Sequence, residues 1–187
     1  MKNIKLLCIG DSLTFGYEVP EEKRWTNLLS NELNIDVLNE GINGDTTSGI
    51  LNRLLPKFRE FKPSHVFILG GTNDLWFGLK NEFILSQIYA MCKQALHYNI
   101  IPIVGIPTPC FNTEEYNLIG ENYTSRIKIF QDDLVKFCLL KEIEFINLNE
   151  DILQEYFMDD GIHFNHDGHV FVMNKLKEIL QKILNSI

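Results

Sequence analysis

The sequence predicts an α/β fold in which one parallel sheet lies between two layers of helices. Short apolar runs alternate with longer segments of helical periodicity along all 187 residues, and such alternation is typical of strand–helix–strand units. Loops rich in Gly, Asn, Asp, Ser and His follow four of the apolar runs. Because ligands bind beyond the carboxyl ends of parallel strands, these loops indicate a site at that edge. The length and the lack of a linker predict a single domain, residues 1–187.

Five apolar runs predict the strands of the sheet. They do not alternate between apolar and polar residues, which is typical of parallel strands that are buried on both faces. The runs lie at residues 4–9, 35–38, 65–69, 100–106 and 143–148. The sequence therefore predicts five parallel strands.

Five longer segments predict amphipathic helices. Apolar residues recur three and four positions apart, as Ile50, Leu54 and Phe58 do in the second segment. The segments lie at residues 22–33, 46–61, 80–98, 119–140 and 166–184. Residues 108–118, which include proline and aromatic residues, are predicted to form an irregular loop.

Charge and composition exclude several classes of partner. The net charge is −8 and no cluster of Lys and Arg interrupts it, so neither a nucleic acid nor an anionic membrane surface is an expected partner. No apolar stretch is long enough for a membrane span, and the first apolar run is too short for a signal peptide. We therefore expect a cytoplasmic protein whose four scattered cysteines are reduced.

The loops after the first, second, third and fifth strands carry the groups that acyl transfer needs. That reaction needs a nucleophile, a base, a group that orients the base, and N–H donors for the oxyanion. Ser12 follows the first strand, and His163 with Asp160 three residues before it follows the fifth. Gly44 and Asn73 follow the second and third strands and offer N–H donors. These residues are the candidates for a serine-hydrolase site.

The four loops contain four sequence blocks in a fixed order: Gly10-Asp11-Ser12-Leu13-Thr14-x-Gly16, Gly44-Asp45-Thr46-Thr47, Gly70-x-x-Asn73-Asp74 and Asp160-Gly-Ile-His163. Together these blocks resemble the SGNH hydrolases, also called GDSL esterases, and in particular their bacterial thioesterase and lysophospholipase branch. The resemblance runs from residue 10 to residue 169, and it implies a three-layer, flavodoxin-like fold with a five-stranded parallel sheet.

The resemblance also implies roles for individual residues. Ser12 is then the nucleophile, His163 the general base and Asp160 the residue that orients it. The backbone N–H groups of Ser12 and Gly44, with the side-chain amide of Asn73, form the oxyanion hole. The implied activity is cleavage of carboxylic esters or thioesters, with acyl, lysophospholipid or short-chain ester substrates favoured. No cofactor and no metal are expected.

Several alternatives stay open. Leu75, Trp76, Phe77 and Phe111 lie near the motifs and are predicted to contact an acyl chain or an aromatic alcohol. Because aromatic rings also stack on sugars, a carbohydrate O-deacetylase is an alternative, and a catalytically silent binding domain is another. Other local alternatives are Asp159 as the partner of His163, and a metal site that includes His166 and His169. We expect the aspartates at positions 11, 45 and 74 to brace loops.

Overall fold

The computed structural model describes residues 4–112 and 114–185, and its centre is the predicted five-stranded sheet. The strand order is β2-β1-β3-β4-β5, and all neighbouring strands are parallel. The strands are β1 (Lys5–Gly10), β2 (Asp36–Gly41), β3 (His65–Leu69), β4 (Ile101–Ile106) and β5 (Glu144–Asn147). The strand order reverses between β1 and β3, and a crevice opens beside such a reversal in parallel sheets.

Seven helices surround this sheet in the described part of the chain. They are α1 (Ser12–Phe15), α2 (Trp25–Leu33), α3 (Thr47–Phe61), α4 (Thr72–Trp76), α5 (Asn81–His97), α6 (Tyr123–Lys141) and α7 (His166–Asn185). Within the described ranges, no helix combines the length and the apolar character that a membrane crossing requires.

The sheet separates two apolar cores, which gives the predicted three layers. Alternate side chains of β1 divide between them: Leu7 and Ile9 pack with α3, α5 and α6, whereas Leu6 and Cys8 pack with α2 and α7. These side chains are almost fully removed from water. All four cysteines are buried and unpaired.

The helices differ from the prediction in their bounds and in their number. The predicted helix at 119–140 begins only at Tyr123, because the Asn122 side chain accepts a hydrogen bond from the Ser125 N–H and caps the helix. The predicted helix at 22–33 is divided into a 3₁₀ turn (Glu21–Lys23) and α2. The short helices α1 and α4 were not predicted, and both lie at the edge of the sheet where the motifs meet.

Candidate active site

The side chains of Ser12, His163 and Asp160 form one continuous hydrogen-bonded chain. The Ser12 Oγ lies 2.9 Å from His163 Nε2, and His163 Nδ1 lies 2.6 Å from Asp160 Oδ2. The other carboxylate oxygen of Asp160 accepts hydrogen bonds from the backbone N–H groups of Ile162 (2.8 Å) and His163 (2.9 Å). The carboxylate therefore fixes both the ring and the backbone of His163.

The environment keeps Asp160 ionised. Burial alone raises the pKa of this carboxyl group. Hydrogen bonds from the His163 ring and from the backbone N–H groups of His163 and Ile162 outweigh burial, so the pKa lies below its usual value. An ionised Asp160 accepts a hydrogen bond from the Nδ1–H of His163, which leaves Nε2 free to accept a proton from Ser12.

Asp11 positions the turn that carries Ser12. It caps α1, because its Oδ1 accepts a hydrogen bond from the Leu13 N–H (3.0 Å), and its Oδ2 accepts one from the Thr72 hydroxyl (2.9 Å). Asp11 is fully buried, and burial raises its pKa to about 6 although both hydrogen bonds favour the carboxylate. The turn after β1 is thereby tied to the start of α4 after β3.

Three N–H groups are candidates for an oxyanion hole. The Ser12 N–H lies in the first turn of α1, where a helix supplies no acceptor. Gly44 has a φ of 75°, and its N–H has no partner among the described residues. Asn73 donates one amide hydrogen to the Asp45 carbonyl at 3.0 Å, which leaves its second hydrogen for a ligand. This hydrogen bond also joins the turn after β2 to α4.

The aspartates at positions 45 and 74 brace these turns, as expected. The Asp74 carboxylate accepts hydrogen bonds from the Thr47 N–H (2.9 Å) and the Thr47 hydroxyl (2.6 Å). Asp45 is paired with Arg53, whose Nε lies 2.8 Å from the Asp45 Oδ2. The sequence analysis did not single out Arg53, because only the folded sheet brings its partners together.

A cleft of about 200 Å³ opens beside Ser12. It contains Trp76, whose ring meets the Tyr123 ring edge to face at a centroid distance of 5.3 Å. The residues lining it are Ser12, Leu13, Thr72, Asn73, Trp76, Glu115, Tyr123, Ile162 and His163. Trp76 is therefore placed where the sequence analysis expected a substrate contact.

The other predicted contact residues lie elsewhere. Leu75 is fully buried in the core, so its expected contact with substrate is wrong for this structure; the helical turn of α4 directs Leu75 inward. Phe77 is 50% exposed and does not line the cleft. Phe111 packs on Phe157, with ring centroids 5.0 Å apart, and lines a neighbouring hollow.

The sequence analysis missed two residues near Ser12. The Tyr17 ring stacks against the His163 ring with centroids 4.3 Å apart. Glu115 lines the cleft, and its Oε2 is buried with no hydrogen-bond partner among the described residues. Burial and the nearby Asp160 raise the pKa of Glu115. An aromatic residue soon after the first block was a weak signal for Tyr17, whereas nothing in the predicted irregular loop marked Glu115.

His169 has a structural role. It is 1% exposed, and its Nδ1 accepts a hydrogen bond from the Trp25 N–H at 3.1 Å. Burial, together with the nearby charges of Arg24 and His166, lowers the pKa of His169 to about 4. Within residues 4–112 and 114–185, no three His, Cys, Asp or Glu side chains are grouped to hold a metal ion.

Comparison with known proteins gives the family. Residues 8–171 match the model of the GDSL-like lipase/acylhydrolase family. This chain belongs to that family. The arylesterase of Vibrio mimicus is 29% identical over 188 residues, which cover 96% of this chain and 90% of the relative. The thioesterase 1/protease 1/lysophospholipase L1 of Escherichia coli (strain K12) is 26% identical over 185 residues, covering 96% and 85%.

Solved structures share the fold. A lipolytic protein of the G-D-S-L family from Desulfitobacterium hafniense superposes with a TM-score of 0.82 at 23% identity, covering 95% of this chain and 99% of that one. The esterase EstA from Pseudoalteromonas gives a TM-score of 0.79 at 22% identity, covering 98% and 100%. Family, relatives and fold together identify this GDSL family member as a hydrolase that cleaves esters.

Proposed function

We propose that this hydrolase cleaves carboxylic esters or thioesters through an acyl-enzyme on Ser12. The observation that carries the proposal is the hydrogen-bonded chain from the Ser12 Oγ through the His163 ring to Asp160. Nε2 of His163 takes the hydroxyl proton as Oγ attacks the carbonyl carbon of the substrate. His163 then returns the proton to the leaving alcohol or thiol. A water molecule, deprotonated by the same ring, then attacks the acyl-enzyme, and His163 returns this proton to the Ser12 Oγ as the carboxylic acid leaves.

The oxyanion that forms in each step needs fixed donors. We assign the backbone N–H groups of Ser12 and Gly44 and the side-chain amide of Asn73 to this role. Two features support the assignment: Ser12 and Asn73 line the same cleft, and Asn73 is joined to the residue after Gly44. Donors that are held before the reaction stabilise the developing charge without reorganisation.

The cleft favours a small, uncharged group next to the scissile bond. Its volume of about 200 Å³ suits a short acyl group or an aromatic ring. Leu13, Ile162 and the rings of Trp76 and Tyr123 supply apolar surface. Among the described lining residues no Lys or Arg is present to pair with a phosphate or carboxylate. A short-chain or aryl ester is therefore the proposed substrate.

One observation favours a second candidate, the deacetylation of an acetylated sugar. Glu115 lines the same cleft as Trp76. A carboxylate accepts hydrogen bonds from sugar hydroxyl groups, and an aromatic ring gives the sugar a surface on which to stack. Turnover of p-nitrophenyl esters of increasing chain length, compared with turnover of acetylated sugars, decides between the two substrates.

The nucleophile is tested with a fluorophosphonate and the Ser12→Ala variant. We expect the wild-type protein to gain one adduct on Ser12 and to lose activity towards p-nitrophenyl acetate. Ser12→Ala should take up no label and show no turnover while it melts like the wild type. The control is Ser86→Ala, which removes an exposed hydroxyl on α5 that donates a hydrogen bond to the Phe83 carbonyl. A folded Ser12→Ala protein with wild-type turnover would refute the proposal, and failure of the wild type to react would indicate a silent binding domain.

A further inference from the structure

We propose that Tyr17 is a positioning residue for His163, whose ring holds the imidazole in place and favours its protonated form during catalysis. The inference rests on the proposed function, because it assumes that His163 accepts the proton of Ser12. It starts from one contact: the two ring centroids are 4.3 Å apart, and the ring planes are inclined by 33°. Tyr17 therefore covers one face of the imidazole, while Ser12 and Asp160 bond to its edge.

The turn that carries the nucleophile also holds Tyr17. Helix α1 ends at Gly16, which has a φ of 85°. The backbone N–H groups of Gly16 and Tyr17 both donate to the Ser12 carbonyl, at 3.0 and 3.3 Å. A side chain at position 16 would be strained by the positive φ, and its Cβ would lie 2.6 Å from the Arg24 Cγ. The backbone therefore fixes the stacked ring relative to the nucleophile.

The charges around His163 are consistent with an imidazolium against an aromatic face. The face of a phenol ring carries negative potential and attracts a cation. The Asp160 carboxylate contacts the Nδ1 edge of the imidazole, on the side away from Ser12. Buried Asp11 interacts electrostatically with His163, and Glu115 lines the same cleft as His163. A hydrogen bond to Glu18 raises the pKa of the Tyr17 hydroxyl, so the phenol stays neutral. The imidazolium that forms when Ser12 is deprotonated would therefore lie between carboxylates and an aromatic face.

Tyr17 could instead act only as a shield that excludes water from His163. The two roles predict opposite effects on the protonation of His163 when the side chain is removed. A side chain that only excludes water disfavours the charged imidazolium, so removing it makes protonation easier. An aromatic face that attracts the cation makes protonation easier while it is present. Two variants separate these effects: Tyr17→Leu keeps an apolar cover without the π face, and Tyr17→Phe keeps the face without the hydroxyl.

The experiment measures kcat and KM from pH 5 to 9 with p-nitrophenyl acetate. For Tyr17→Leu we expect the midpoint of the acid limb of kcat/KM to move about 0.4–0.7 unit towards lower pH. We also expect kcat to fall about two- to fivefold, with KM nearly unchanged. Tyr17→Phe should keep both the midpoint of the acid limb and kcat close to the wild-type values. The control Tyr98→Leu, on a residue that contacts Phe58 and His97 after α5, should leave the profile unmoved.

An acid limb that stays in place or moves towards higher pH in Tyr17→Leu would overturn the proposal. So would a Tyr17→Phe variant that behaves like Tyr17→Leu, because the hydroxyl would then matter more than the face. Melting curves show whether Tyr17→Leu is folded, and Tyr17→Met serves as a second apolar cover if it is not. Each outcome is thus decided on a folded protein.

A second measurement distinguishes failure of this inference from failure of the proposed function. NMR follows the titration of the His163 ring in Ser12→Ala and in Ser12→Ala with Tyr17→Leu, so no turnover is needed. The stacking inference predicts a lower titration midpoint in the double variant. If Ser12→Ala is inactive but the midpoint does not move, the proposed function stands and the stacking inference falls. If Ser12→Ala is active, the proposed function falls, and the NMR titration still tests the stacking contact.

Discussion

The substitution Arg53→Met should destabilise the protein and slow catalysis. Arg53 lies on α3 and reaches the ends of two strands. Its Nη1 donates to the Glu40 carbonyl at 2.6 Å, its Nη2 to the Gly10 carbonyl at 2.8 Å, and its Nε contacts the Asp45 carboxylate at 2.8 Å. One side chain thus connects the end of β1, the end of β2 and the turn that follows Gly44.

The size of the effect follows from these three hydrogen bonds. Hydrogen bonds that involve a charged group contribute about 1.5–3 kcal/mol each to the free energy of unfolding. The side chains of Arg53 and Asp45 are 17% and 13% exposed, so water replaces part of what is lost. We therefore expect a loss of about 2–4 kcal/mol, since the three contributions share one side chain and are not additive. For a chain of this size that lowers Tm by roughly 4–16 °C.

The value of kcat should fall as well. The three hydrogen bonds of Arg53, together called the Arg53 clamp, also set the position of the proposed oxyanion donors. The Asp45 carbonyl accepts the hydrogen bond of Asn73, and Gly44 precedes it in the turn. A displacement of about 1 Å in a catalytic group costs up to about 100-fold in rate, so we expect kcat to fall between about 10- and 100-fold. KM should change less.

Thermal melting and steady-state kinetics on matched variants test this reasoning. Arg59→Met is the control, because Arg59 lies exposed on the same helix. It should alter the free energy of unfolding by no more than about 0.5 kcal/mol. If Arg53→Met melted within the range of Arg59→Met and kept its kcat, the clamp would not position the site. Arg53→Lys should recover only part of the loss, since lysine cannot reach three acceptors with a planar fork.

Two further predictions concern the oxyanion and the pH dependence of stability. Asn73→Ala should lower kcat by about 10²–10³ with little change in KM, because in its proposed role the amide binds the charged intermediate better than the neutral carbonyl; a normal kcat with a raised KM would assign Asn73 to substrate binding. His169 has a folded-state pKa of about 4, below the unfolded value of about 6.5. Neutral, buried His169 therefore contributes about 3 kcal/mol to the free energy of unfolding. This contribution is fully present at pH values above the unfolded-state pKa and is lost as the pH falls towards 4. Urea unfolding between pH 7.5 and 4 should show the stability of the wild type falling relative to His169→Asn, which keeps an acceptor for Trp25; a constant difference would contradict this.

The sequence was sufficient to place the motifs at one edge of the sheet. Parallel strands put all their carboxyl ends on one side, so the loops after β1, β3 and β5 meet without further information. Ser12 and His163, 151 residues apart in the chain, are in hydrogen-bond contact for this reason. The five predicted runs overlap the five strands. The residues of β1, β3 and β4 are almost all buried, whereas the edge strands β2 and β5 are partly exposed.

The orientation of side chains within the loops was not predictable in the same way. Helix α4 has five residues, too few for a periodic pattern, yet its turn decides that Leu75 faces the core and Trp76 the cleft. The start of α6 depended on a single cap at Asn122, which the pattern of apolar residues does not reveal. Short-range patterns therefore located the cleft but did not identify all its walls.

Contacts made through distant backbone atoms were also hidden. The acceptors of Arg53 are two carbonyl groups at strand ends, and every residue has such a carbonyl group. Only the pairing of β1 with β2 brings Gly10 and Glu40 within reach of one side chain. A sequence motif records which groups react, whereas a clamp of this kind exists only after the sheet has formed.

Separate sets of contacts hold the separate parts of the proposed site. The nucleophile turn is tied to α4 through Asp11 and Thr72, and the oxyanion turn is held by Arg53. The base is held by Asp160 and covered by Tyr17. Because the clamp and the stacked ring share no atom, loss of one should leave the geometry of the other intact. In the proposed mechanism catalysis nevertheless needs both, since the proton would leave Ser12 in the same step in which charge develops on the oxyanion.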